Sequence, residues 1–354
     1  MLLERADQLA ALHAYLAEVG GGSGRLVFVG GEAGVGKTTL TGAFATGVDG
    51  IRVRRGVADN PSAAAPLGPF LDALAGEVAE PDAGDLRVRL FSGVRAALAA
   101  APTVLVLEDV HWADEASLDL LGYLGRRLDG CPVLILATYR DDEVGPAHPL
   151  TVVLGDLAGR PGVARMHVPG LTPSAVRQLA GAAGSDLDVD ELYRRTDGNP
   201  FFVTEVLATG DASLPPFVRD ATLARASRLS TAARHVLDAA AVIGGSAELD
   251  LLRDVSQQPP AAVDECHQRG LLVGDGPRLA FRHELARQAI EQALPAATRA
   301  GLHTRTLAGL RAAGSTDHRR LAYHATAAGD VAALVVHAAA AGDEIGRASC
   351  RERV

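Results

Sequence analysis

The segment Arg25–Thr46 reads RLVFVGGEAGVGKTTLTGAFAT, and no other stretch confines the fold as tightly. The apolar run Leu26–Val29 suits a short strand buried on both faces, the kind found in parallel sheets covered by helices. A glycine-rich turn follows at once, and helical character returns from Thr38 to about Thr46. Within it Gly31–Thr38 fits G-x-x-x-x-G-K-T in the strand–loop–helix context that gives this pattern its meaning. The glycines let the backbone curl until successive N–H groups face one anion, and the start of the helix adds its positive end.

Lys37 is the single lysine of a chain that otherwise uses arginine for its fixed positive charges. A flexible ammonium can follow the β- and γ-phosphates of a nucleotide inside a narrow cradle, where a planar guanidinium is too wide. Thr38 then offers a hydroxyl to Mg²⁺. The residues expected to hold ATP or ADP are Gly31, Gly34, Val35, Gly36, Lys37, Thr38 and Thr39.

Such a loop needs an acidic partner on a nearby strand end. VLVLEDVHWAD (Val104–Asp114) supplies Glu108 and Asp109 after an apolar run, one to hold Mg²⁺ and the other to polarise the attacking water. The residues alone do not assign the two roles. Asp114 reads as a helix N-cap, Trp112 as a core residue, and His111 as either a phosphate sensor or a structural group. Thr138 and Arg140 close the next strand, CPVLILATYR, on the edge where ligands bind in such sheets. Arg140 is a candidate reporter of the γ-phosphate, with a surface ion pair to Asp141 or Asp142 as the alternative.

The rest of the first half alternates in the same way. A helix is expected over Arg5–Val19, strands at Ile51–Ala58, Thr103–Asp109 and Val163–Leu171, a helical stretch from Pro66 to Ala101, and a helix over Asp114–Leu128. Strands alternating with helices imply a mainly parallel sheet in an αβα layering. Beyond Leu171 the alternation stops. Helices are expected at Thr172–Gly184, in two pieces broken at GNP over Asp188–Ala208, across Leu214–Gly244, and from Ala296 to Asp343. Pro277–Ile290 reads as a strand entering a helix.

Composition narrows the remaining choices. A formal charge of −9 argues against a general nucleic-acid binder, so arginines 219, 225, 228 and 234 read as a solvated face. Cys131, Cys266 and Cys350 are scattered, without the spacing of a zinc site or a disulfide framework. No apolar run approaches bilayer length, and Glu4, Arg5 and Asp7 spoil a secretory leader, which makes the cytoplasm the expected compartment and a membrane an unexpected partner.

As a set, LLERADQLAAL, GGEAGVGKT, VLVLEDVHWADEASLDLL, LILATYRDDEV, RRTDGNPFFVTEVL and FRHELARQAI resemble the ATPase module of STAND-class signal-transducing NTPases, above all the large ATP-binding LuxR-type regulators of bacteria. The resemblance spans Leu2 to about Ile290. It implies a P-loop nucleotide-binding domain over 1–170, a helical lid over 171–212, a winged-helix-like domain over 213–291 and the start of a helical-repeat sensor over 292–343. It also implies Pro200 pressing on the adenine, Arg140 as sensor and His283 reading the β-phosphate. The implied mechanism is a slow ATPase switch, closed with ADP and self-associating with ATP, with an inducer at the repeats. DNA would be contacted only by a further C-terminal domain. Glu108 departs from the Asp of many relatives, which puts efficient hydrolysis in doubt. The competing readings are an AAA-type motor or loader, or the same module joined to a cyclase or kinase output. The tail Glu344–Val354 reads as a translated sequencing-adapter oligonucleotide, so the natural chain is expected to depart from this one near Asp343.

Overall fold

The computed structural model describes residues 2–58, 66–75, 86–210, 213–274 and 276–351, with no side chains described for 86–88 and 342–351. The tail read as adapter-derived, and the middle of the helical stretch 66–101, therefore lie wholly or partly outside the described residues. The chain divides into two compact units, Met1–Ala182 with Gly198–Phe202, and Ala183–Asp197 with Val203–Val354.

The first unit opens with helix α1 (Ala6–Gly20), strand β1 (Arg25–Gly30) and helix α2 (Lys37–Thr46). Strand β2 (Arg52–Val57) leads to α3 (Gly68–Ala73) and α4 (Leu86–Ala99). Then come β3 (Thr103–Glu108), α5 (Glu115–Gly125), β4 (Val133–Tyr139), α6 (Pro149–Asp156), β5 (Val163–His167) and α7 (Pro173–Ala182). Among the described residues the strands form one five-stranded sheet in the order β2-β3-β4-β1-β5, every pairing parallel.

Period-two alternation builds a core on each face of this sheet. Val27, Val29, Val104, Val106, Leu134 and Leu136 pack with Leu12 of α1 and with Leu40 and Phe44 of α2. The opposite set, Leu26, Phe28, Leu105, Leu107 and Ile135, packs with residues of α3 to α6, including Phe70, Leu98, Leu121 and Leu150. Each fully buried side chain of this size contributes roughly 1.5–3 kcal/mol relative to exposure. That is why the central strands read as unbroken apolar runs while the edge strand β2 carries three arginines.

The second unit holds helix α8 (Val189–Thr196), most of α9 (Pro200–Thr209), α10 (Pro216–Ala226) and α11 (Thr231–Ile243). Strand β6 (Ser246–Glu248) precedes α12 (Leu249–Ser256) and α13 (Pro260–Gln268). Strands β7 (Leu272–Val273) and β8 (Arg278–Phe281) follow, pairing antiparallel in the order β6-β8-β7. Helix α14 (Glu284–Ala293) comes next, then α15 (Ala296–Ala312), α16 (His318–Ala328) and α17 (Val331–Arg351). Helix α11 is the centre of this core, burying Val236, Leu237 and every residue from Ala239 to Ile243. A P-loop αβα sheet followed by a helical C-terminal segment is thus the fold class expected from the sequence. No helix among the described residues is long and apolar enough to cross a membrane.

Candidate functional site

The phosphate loop joins β1 to α2. Gly34 and Gly36 adopt φ of 79° and 96°, values that L side chains rarely tolerate. A Cβ at Gly34 would also stand 2.7 Å from the Cβ of Phe201 and 3.0 Å from Oδ1 of Asn199. Those neighbours belong to the GNP segment. Asn199, 1% exposed, donates its Nδ2 to the carbonyl of Ala33 at 2.8 Å, and the Phe201 N–H meets the carbonyl of Gly34 at 3.3 Å. Pro200 sits between these two anchors, so the helix break read from the sequence is a clamp on the loop.

Helix α2 starts at Lys37 with no side chain capping its first turn, which leaves its positive end to the loop. Lys37 is buried and donates Nζ to the carbonyls of Gly31 at 2.6 Å and Glu32 at 2.8 Å. Burial lowers the pKa of its ammonium, and the charges of Asp109 and Asp142 oppose that shift. Val35 points its side chain into the core, and Thr38 and Thr39 stand exposed on the first turn of α2.

The two acids at the end of β3 diverge. Glu108, 8% exposed, accepts the hydroxyl of Thr38 at Oε2 over 2.8 Å, and its Oε1 lies 3.3 Å from Nη1 of Arg55. Asp109 turns the other way, with φ of 55° and its N–H bonded to Oγ1 of Thr138 at 3.0 Å. Its Oδ1 is 3.8 Å from Nε of Arg140 and 3.8 Å from Nδ1 of His111. Burial raises the pKa of the Asp109 carboxyl, against the pull of Arg140 and Lys37. Strand β4 makes this meeting possible, because it lies between β1 and β3 and delivers Thr138 and Arg140 between loop and acids.

Arg140 pairs with Glu143, three residues further along the chain. Its Nη1 donates to Oε1 of Glu143 at 2.6 Å, and its guanidinium lies 4.5 Å from the ring centre of Trp112. Trp112 is correspondingly no plain core residue, since its Nε1 donates to Oε2 of Glu143 at 3.3 Å. His111, 4% exposed, is pushed down to about 3 by burial, with the Glu143 carboxylate opposing, so it is neutral at neutral pH. Asp114 caps α5, accepting the N–H groups of Ala116 and Ser117.

Sequence reasoning missed three contributors. Arg5, 3% exposed, carries no expectation of a contact to the loop from the sequence, yet it donates Nη2 to the carbonyls of Val35 at 3.2 Å and Pro169 at 2.6 Å. Asn199 and Glu143 were passed over as parts of GNP and DDE. An arginine or asparagine beside a motif carries no local signal of the carbonyl it will reach. His283 lies in the second unit, buried at the start of α14.

Residues 1–136 match the family described as AAA ATPase domain. An uncharacterized protein of Rhizobium meliloti (strain 1021) is 29% identical over 273 residues, which are 68% of this chain and 26% of that protein. The chain thus spans about a quarter of the length of that curated relative. The Walker-type ATPase of Pyrococcus abyssi superposes with a TM-score of 0.57 at 14% identity, over 82% of this chain and 96% of that one. A STAND protein with a tetratricopeptide-repeat sensor from Pyrococcus horikoshii covers 90% of this chain and 47% of its own at 18% identity, with a TM-score of 0.36, too low to argue from. The fold is that of a P-loop NTPase, and residues 1–136 match the AAA ATPase domain.

Proposed function

We propose that the first unit binds ATP or ADP with Mg²⁺ and serves as a slowly hydrolysing switch, in a LuxR-type regulator whose DNA-binding output is carried outside this sequence. The carrying observation is the 2.8 Å bond from Thr38 to Glu108, made at the foot of a loop whose lysine already rests on its own carbonyls. The residues present fit such a ligand. Gly34 makes room for Asn199 and Phe201, Gly36 faces open space where a Cβ would meet nothing within 4 Å, and the hydroxyl and carboxylate oxygens of Thr38 and Glu108 suit a hard cation such as Mg²⁺.

In this reading Lys37 and the N–H groups at the start of α2 hold the phosphates. Thr38 and Glu108 hold the metal, which when bound offsets charge on the phosphate oxygens. Asp109 orients and accepts the proton of the attacking water, and Arg140 contacts the terminal phosphate. Pro200 carries the adenine contact implied by the GNP resemblance. Arg140 must first leave a 2.6 Å ion pair with Glu143 and its place over Trp112, which favours a low basal rate. Glu108, for all its departure from Asp, still accepts the Thr38 hydroxyl. Self-association in the ATP state and an inducer site in the helical C-terminal segment complete the proposal.

The test is thermal unfolding with and without nucleotide. Saturation at about 100 times Kd should stabilise the chain by about 2.7 kcal/mol, and Lys37→Ala should abolish the effect. An unchanged ATP shift in that variant refutes the assignment. Steady-state hydrolysis should stay below about one turnover per second, the low end of enzyme rates. Faster turnover would favour the motor reading.

A further inference from the structure

Arg55 lies on β2, beside the strand that ends in Glu108. In the parallel register Arg55 faces Val106 and Val57 faces Glu108. Residues two apart share a face, so Arg55 and Glu108 are diagonal neighbours, within reach of a long side chain. Helix α2 passes beside this path at Gly42, where even an added Cβ would be in ordinary contact, 3.7 Å from Nη2 of Arg55. Nη1 then stands 3.3 Å from Oε1 of Glu108, while Oε2 of the same carboxylate takes the Thr38 hydroxyl. Arginine is abundant in this chain, and composition would pass Arg55 over as a solvated charge. Its neighbour Arg52 shows the contrast, being fixed to Oγ1 of Thr103 and the carbonyl of Ala97.

We propose that Arg55 is the internal counter-ion of Glu108, neutralising that carboxylate when no divalent cation is present and setting the Mg²⁺ concentration at which the nucleotide complex forms. This rests on the reading of Thr38 and Glu108 as the metal side of a nucleotide site. A guanidinium and a divalent cation compete for the same carboxylate, since each is favoured by its negative charge. The Arg55 side chain is 44% exposed, so it can swing into water at small cost. Competition is therefore modest, in the range of an exposed ion pair, which corresponds to about a twofold to fivefold change in a binding constant.

The experiment titrates Mg²⁺ against the full chain at saturating ADP and reads the metal-dependent rise in unfolding temperature, for wild type, Arg55→Met and Arg55→Lys. Half-saturating Mg²⁺ should fall about twofold to fivefold in Arg55→Met and lie between the two in Arg55→Lys, which keeps the charge but loses the planar fork. A half-saturation equal to or above wild type in Arg55→Met overturns the proposal and leaves the nucleotide site standing. If wild type itself shows no Mg²⁺-dependent shift with ADP, the site reading falls, and the role of Arg55 falls with it.

Discussion

Lowering the pH should destabilise the second unit through one buried imidazole, His324. Its ring is fully buried, its Nδ1 lies 2.9 Å from Nδ1 of His303, and its Nε2 has no hydrogen-bond partner among the described residues. One proton can sit between the two Nδ1 atoms, and a second has no place there. Burial first, then the charges of His303 and Arg320, push the His324 pKa from 6.5 down to about 4. The folded value lies below the unfolded one, so the contribution to stability is present above pH 6.5 and drains away as pH falls toward 4. Between about pH 7.5 and about pH 5 the unfolded chain gains nearly a full proton here and the folded chain about a tenth of one, a loss of about 2 kcal/mol. For a unit of this size that is roughly 4–8 °C in unfolding temperature. The assay is thermal denaturation followed by circular dichroism at both pH values, in wild type and in His324→Leu. Titrating groups remote from His324 cancel in the comparison, and the strain of charging the His303–His324 pair is absent from the variant, so the variant should lose less than wild type across the interval. Equal losses in the two proteins refute the burial argument.

Three further outcomes follow from the first unit. Gly34→Ala places a Cβ against Phe201 and Asn199 at a left-handed backbone position; it should cost at least about 1–2 kcal/mol and remove the nucleotide-dependent shift in unfolding temperature. Glu108→Gln should weaken the Mg²⁺ dependence of nucleotide binding, whereas Asp109→Asn should retain it and lose turnover; the reverse pattern would exchange the two roles. Asp114→Ala removes the cap of α5 and the acceptor for the Leu67 N–H, and denaturant titration should show a loss of about 1–2 kcal/mol.

Local chemistry made much of this protein legible in its sequence. A strand buried on both faces must be apolar throughout, which marked β1, β3 and β4. A loop that turns its N–H groups inward must have glycines where φ is positive, which marked Gly34 and Gly36. The lone lysine and the acids at the end of β3 stood out because few other residue types can serve at those places. The short strands β6 and β7 were not read, because two- and three-residue strands carry too little periodicity to register, and the two-turn helices α12 and α13 beside them went unread as well.

Tertiary structure decided the rest, through contacts between residues far apart in the chain. The placing of β4 between β1 and β3 results from sheet packing, and it alone brings Thr138 and Arg140 between the loop and the acids. The separation of Glu108 toward Thr38 from Asp109 toward Arg140 needs the left-handed turn at Asp109, which no adjacent residue dictates. Arg5 reaches Pro169, Asn199 reaches Ala33, and His303 meets His324 for the same reason. A sequence fixes which groups are available and how each segment prefers to fold. Which distant partner satisfies a buried guanidinium, amide or imidazole is settled only when the layers close and water is excluded.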